Sequence, residues 1–300
     1  MIAQRDAGIE LKSVVATTDF SASQSYLVGF LAVSLISLLL YIPVMMKLAH
    51  DWWRNPDYSH GFLIPLFAAF VVWERRGTLS KIPVHPSWWG LAVCISSFLL
   101  LILGALGIDL FLARISLLVQ MAGLILLFWG TKYLRAALFP WALLGLAVPV
   151  PAIIFNQVAQ PLQLFASAVA ASLLPVFGVP VLKDGNIIHL PSTTLEVATA
   201  CSGIRSLVSL ISLAIFYGYA KRRTIAQRWL LIILSVPIAI GANSLRVLGT
   251  GLLAQYWSPD KAEGFFHSFA GLMVFLVSSL LLMLSDSFLR KFRKRSYQTR

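Results

Sequence analysis

The sequence predicts an all-α polytopic membrane protein, on two observations. Hydrophobic residues make up 58% of its 300 positions and charged residues only 12%, and the apolar residues fall in long successive runs separated by short polar gaps. A soluble domain carries roughly a quarter charged residues, so most of this chain belongs in lipid. A spanning helix takes about 20 mostly apolar residues. Runs at 26–46, 88–106, 110–129, 229–253 and 265–284 meet that length. Three shorter runs, 58–73, 136–151 and 204–219, cross only with extended ends or a locally thinned bilayer. The expected count is eight helices in one transmembrane domain, residues 25–286. It is flanked by a polar segment, 1–24, and a basic tail, 287–300. The polar start lacks the apolar stretch and cleavage site of a secretory signal, which predicts that nothing is removed from it.

Orientation follows from the basic residues, which are enriched in cytoplasmic loops. With the N-terminus inside, the inner segments hold Arg5 and Lys12; Arg75, Arg76 and Lys81; Lys132 and Arg135; Lys221, Arg222, Arg223 and Arg228; and six residues of the tail. These are 17 of the 24 Lys and Arg residues. Both termini are therefore expected in the cytoplasm. The net charge of +12 reads as topology and not as a nucleic-acid surface, because it comes in short clusters between apolar runs.

Residues 152–181 are apolar enough for a further span, but crossing there would turn Lys221-Arg-Arg223 outward. Asn156, Gln160, Gln163 and Ser167 recur at helical steps on one face. The expectation is an amphipathic helix on the outer surface, with a buried re-entrant segment as the alternative. Beyond it, Asp184-Gly185 between apolar residues signals a small hairpin before the sixth helix.

Four reactive side chains fall at one expected level, the outer one. Cys201, in Ala200-Cys-Ser-Gly-Ile-Arg-Ser206, precedes the sixth helix. A thiol there feels the helix N-terminus and stands one turn from Arg205, both of which favour thiolate. Cys94, among Leu91, Val93 and Ile95, reads as a small buried hydrophobe, and two such cysteines make neither a disulfide framework nor a zinc cluster. Arg246, in Ala242-Asn-Ser-Leu-Arg-Val247, is about 25 Å along its helix from Trp229, and an arginine inside a span marks a functional site by default. Asn243, three residues earlier, shares its face, and Gly203 lies between the thiol and Arg205. His267, in Gly264-Phe-Phe-His-Ser-Phe-Ala-Gly271, can take and return a proton, with His50, His60 and His189 as competitors. A thiol, a base and a cation match the needs of acyl transfer through a thioester. No paired His or Glu spacing suggests a zinc hydrolase, and no cofactor is expected. A transporter or flippase for an anionic polymer, or a histidine-dependent acyltransferase, remains open at this level.

The blocks around Cys201, Arg246 and His267 with Gly271, in this order, resemble the exosortase/archaeosortase family. Asn55-Pro-Asp-Tyr-Ser-His-Gly-Phe-Leu-Ile-Pro65 is similar to that family's early segment, so the likeness reaches from about 52 to 285. It implies a membrane cysteine protease or transpeptidase acting on exported proteins that end in a Pro-Glu-Pro-type motif, a transmembrane helix and a basic tail. Such enzymes are encoded with exopolysaccharide genes and sit in the bacterial inner membrane with the active site toward the periplasm. By motif position Cys201 would be the nucleophile, His267 the proton-transfer residue and Arg246 the oxyanion or substrate-orienting cation, with Arg205, Asn243 and Gly203 supporting them.

Overall fold

The computed structural model describes the backbone of residues 3–107, 110–197, 202–257 and 265–298, with side chains over 28–107, 110–197, 202–257 and 269–288. The elements in order are α1 (Ala3–Arg54), a 3₁₀ turn (Pro56–Phe62), α2 (Leu63–Glu74), α3 (Arg76–Leu79), α4 (Trp89–Leu106), α5 (Leu110–Phe128) and α6 (Thr131–Leu144). There follow α7 (Ala152–Leu173), β1 (Leu182–Asp184), β2 (Ile187–His189), β3 (Thr194–Glu196), α8 (Ile204–Ala220), α9 (Ile225–Tyr256) and α10 (Phe265–Gln298). The chain packs as two compact units, residues 1–51 with 61–149, and residues 52–60 with 150–300.

In the first unit α4 and α5 form a close hairpin. A side chain on Gly90 would strike the Leu127 backbone at 2.2 Å, and one on Gly123 would strike the Cys94 sulfur at 2.7 Å. Small residues allow such approach where lipid supplies no hydrophobic drive between helices. Cys94 lies in this contact but is only half-buried, less enclosed than the small buried hydrophobe expected. Polar side chains join these helices to α1: Tyr41 Oη donates to Ser116 Oγ at 3.1 Å, Gln120 Nε2 donates to Ser37 Oγ at 2.8 Å, and Ser97 Oγ donates to Gln120 Oε1. Arg114 pairs with Asp51. The outward side chains of α1, such as Leu31, Leu35, Leu38 and Leu39, are more than half exposed, as lipid-facing residues must be.

The second unit holds a core of Ala166, Ala170, Leu174, Ile188, Val197, Val247 and Leu248, built from α7, the sheet and α9. The expected hairpin is present: β1 pairs antiparallel with β2 in the register Leu182↔His189 and Asp184↔Ile187, and Gly185 takes φ +60° in the turn. A third strand, β3, pairs with the far edge of β2. Thr224 starts α9 with a capping box shared with Gln227. Near it the buried Asp286 of α10 accepts from Arg223 at 2.6 Å and from Tyr217 Oη at 3.0 Å, tying α8, the α8–α9 turn and α10 together.

Among the described residues six helices are long and apolar enough to cross a membrane: residues 28–54, 89–106, 110–128, 152–177, 225–256 and 269–288. The polytopic all-α class holds, while the expected count of eight and the expected surface placement of 152–181 are not borne out by length and composition. At 12 and 14 residues α2 and α6 fall short of a span, and α8 at 17 is marginal. The polar face of α7 divides for a packing reason. Asn156 and Gln160 are exposed, but Gln163 donates to the Val197 carbonyl and Ser167 is fully buried beside Ala166 and Ala170. Half of the stripe serves the core instead of the membrane surface.

Candidate functional site

The residues around the candidate site belong to α8, α9, α10 and the 3₁₀ turn of the second unit. Cys201 lies outside the described residues, and of His267 only the backbone is described, in the first turn of α10. Gly203 is the N-cap of α8 with φ +86°, and a Cβ on it would stand 2.7 Å from Cγ of Asn243. The left-handed backbone and the close approach both require glycine. Asn243 is 1% exposed, so the first turn of α8, two residues beyond Cys201, is seated directly on α9.

Arg246 follows Asn243 by three residues, about 4.5 Å along α9. Its guanidinium lies against Gly271 of α10, where a Cβ would meet its terminal nitrogens and Cζ in ordinary contact at 3.7 to 3.9 Å. Gly271 is one turn beyond His267. Adjacent positions of α9 thus touch the beginnings of α8 and α10, the two helices whose starts carry the thiol and the histidine. A guanidinium can steady an oxyanion or carboxylate, and that of Arg246 borders the space between α9 and α10, whereas the first N–H of α8 is taken up locally, Ile204 N donating to Ser202 Oγ at 3.4 Å. The surrounding wall between α9 and α10 is apolar, a cleft of about 590 Å³ that includes Gly241, Gly249, Phe269 and Met273 with Arg246.

Arg205, expected as a cation one turn from the thiol, is itself part of an ion pair. Its Nε donates to Asp57 Oδ1 at 2.7 Å, and a paired guanidinium lowers the pKa of a neighbouring group less than an unpaired one does. Asp57 was missed because its partner lies 148 residues away. The available signal was local: Asn55 Oδ1 accepts from the Asp57 N–H at 3.0 Å, the Asx turn that Asn-Pro-Asp favours. Tyr58 Oη donates to the Val150 carbonyl at 3.4 Å, so the 3₁₀ turn is pinned at two points. Of the competing histidines, His50 is exposed on α1, His60 is half-buried in the 3₁₀ turn, and His189 is engaged with Thr194 on the sheet at 3.2 Å.

Gly203→Ala is expected to destabilise the protein strongly. Left-handed backbone costs a non-glycine residue about 1 kcal/mol or more, and overpacking adds about 1–3 kcal/mol. Thermal unfolding in detergent should show it. Asn243→Gly in the same chain should restore part of the loss, since it removes all three atoms that the new methyl meets, Cβ, Cγ and Nδ2; additive losses in the double variant would refute the contact.

A family model described as transmembrane exosortase matches residues 52–284. We found no match among curated proteins or among solved structures.

Proposed function

The chain belongs to the transmembrane exosortase family, and from that premise we propose that it is a cysteine peptidase or transpeptidase. It cleaves the C-terminal sorting signal of exported proteins through a thioester on Cys201. The observation that supports this reading most is the seating of α8 on Asn243 and of α10 on Arg246, because it draws the starts of the Cys201 and His267 helices toward one stretch of α9. In this reading Cys201 Sγ attacks the scissile carbonyl, and Arg246, with Asn243 nearby, steadies the oxyanion. The carbon–nitrogen bond breaks and the departing amine takes the proton that the Cys201 thiol gave up, passed on through His267. His267 then removes a proton from the acceptor that resolves the thioester. The Asp57–Arg205 pair positions the first turn of α8 and is not itself a reacting group. The substrates are proteins ending in a Pro-Glu-Pro-type motif, a membrane helix and a basic tail, in keeping with a role in exopolysaccharide or matrix export.

The test is processing of such a tail, fused to a secreted reporter and co-expressed with the enzyme. Cys201→Ser should leave the reporter uncut. Full processing by that variant would favour the histidine acyltransferase or the transporter, neither of which uses the thiol.

The reading needs this site on the periplasmic side of the inner membrane, with both termini in the cytoplasm. Reporter fusions after Arg135 and Arg223 should accordingly behave as cytoplasmic and one at Asp184 as external. A cytoplasmic signal at Asp184 would overturn it, since Asp184 and Cys201 share the segment between α7 and α8.

A further inference from the structure

We propose that a pocket in the first unit, where α1, α4 and α5 meet, binds the phosphate headgroup of an anionic phospholipid. The cavity measures about 310 Å³ and combines two cations, Lys47 and Arg114, with apolar walls from Leu40, Val44, Leu101 and Leu110. Gly104 and Ala105 form the α4 side, and their small size leaves the space open.

Charge is the first reason. Arg114 has 7% of its side chain exposed and pairs with Asp51, which balances one of the two cations. Lys47, one turn before Asp51 on α1, takes part in no ion pair among the described residues. One positive charge is left over beside hydrocarbon. A cation on a membrane helix is costly unless it meets an anion or reaches water, and basic pockets between membrane helices are suited to anionic lipid headgroups.

Depth is the second reason. α4 ends at Leu106 and α5 begins at Leu110, so Leu101, Ala105, Leu110 and Arg114 all lie within about 8 Å of that connection along their helices. That is the level of headgroups and the first methylenes. The walls are the third: a soluble anion gains nothing from Leu40, Val44 and Leu101, whereas the tails of a lipid bury apolar area against them.

The test uses the full chain in mild detergent, with native mass spectrometry counting bound lipid at equal concentrations of phosphatidylglycerol, phosphatidylcholine and sn-glycerol 3-phosphate. Phosphatidylglycerol should stay bound at several times the occupancy of the zwitterionic lipid, and glycerol phosphate should neither bind nor displace it. Lys47→Gln should weaken that binding about fivefold, the worth of one basic residue at a charged surface. Ala105→Leu, which keeps both cations but fills the pocket, should weaken it as well. Arg114 is left intact because its loss would strand Asp51 and unfold the unit. Equal occupancy by the two lipids, displacement by glycerol phosphate, or unchanged binding in Lys47→Gln or Ala105→Leu would overturn the assignment. Circular dichroism of each variant keeps a folding defect from passing as a binding defect.

Discussion

Cys201→Ala is expected to abolish covalent capture of a substrate tail, while His267→Ala accumulates it. If the thiol attacks the scissile carbonyl, every turnover passes through a thioester, and without sulfur no such species can form. Loss of a nucleophile costs on the order of 10⁶-fold in rate, enough that no cleavage should be seen. Resolution of the thioester makes a different demand, because the incoming water or amine must lose a proton as it attacks. With His267 gone, acylation can continue slowly while resolution stalls. Each variant is co-expressed with a tagged tail and the membranes are separated without reductant. A band at the combined mass that hydroxylamine releases should appear with His267→Ala and be missing with Cys201→Ala. An adduct in Cys201→Ala, or substrate cleavage by that variant, would remove Cys201 from the mechanism.

Arg246→Lys is expected to lose about 10²- to 10³-fold in processing rate at normal protein abundance, the cost of one oxyanion donor. The magnitude follows from geometry. The guanidinium faces Gly271, where an added Cβ would stand 3.7 to 3.9 Å from Cζ and the two terminal nitrogens, and a planar guanidinium can present two parallel N–H donors. An ammonium keeps the charge but loses the fork, and being compact it leaves part of that contact empty. The measurement that separates catalysis from structure is the rate per folded molecule, with unfolding followed in parallel. Wild-type turnover in Arg246→Lys would make this residue a packing element between α9 and α10.

Asp57, Asp51 and Asp286 show where sequence reading loses its grip. Each accepts from an arginine: Arg205, Arg114 and Arg223 respectively. In each case the partner is 63 or more residues distant. A carboxylate near a predicted helix end looks solvated until the fold brings a guanidinium to it, since nothing in its own neighbourhood records the encounter. Arg205 was legible as a cation near the thiol, but not as one already paired. The stripe on α7 misled in a related way. Helical spacing reports which residues share a face, and only the packing of Gln163 against Val197 and of Ser167 within the core says what that face meets.

The all-α membrane class, the hairpin at Asp184-Gly185 and the family were determined by the sequence alone, because each rests on local chemistry: apolar runs long enough for lipid, a turn dipeptide, and short blocks whose order along the chain is itself the signal. The number of long apolar helices, the third strand and the contacts of Asn243 with Gly203 and of Arg246 with Gly271 were decided only in three dimensions. The reason is physical. Close approach between helices depends on where side chains are missing, and a glycine looks the same in sequence whether it faces lipid, as open space around Gly241 allows, or a buried carboxamide, as at Gly203.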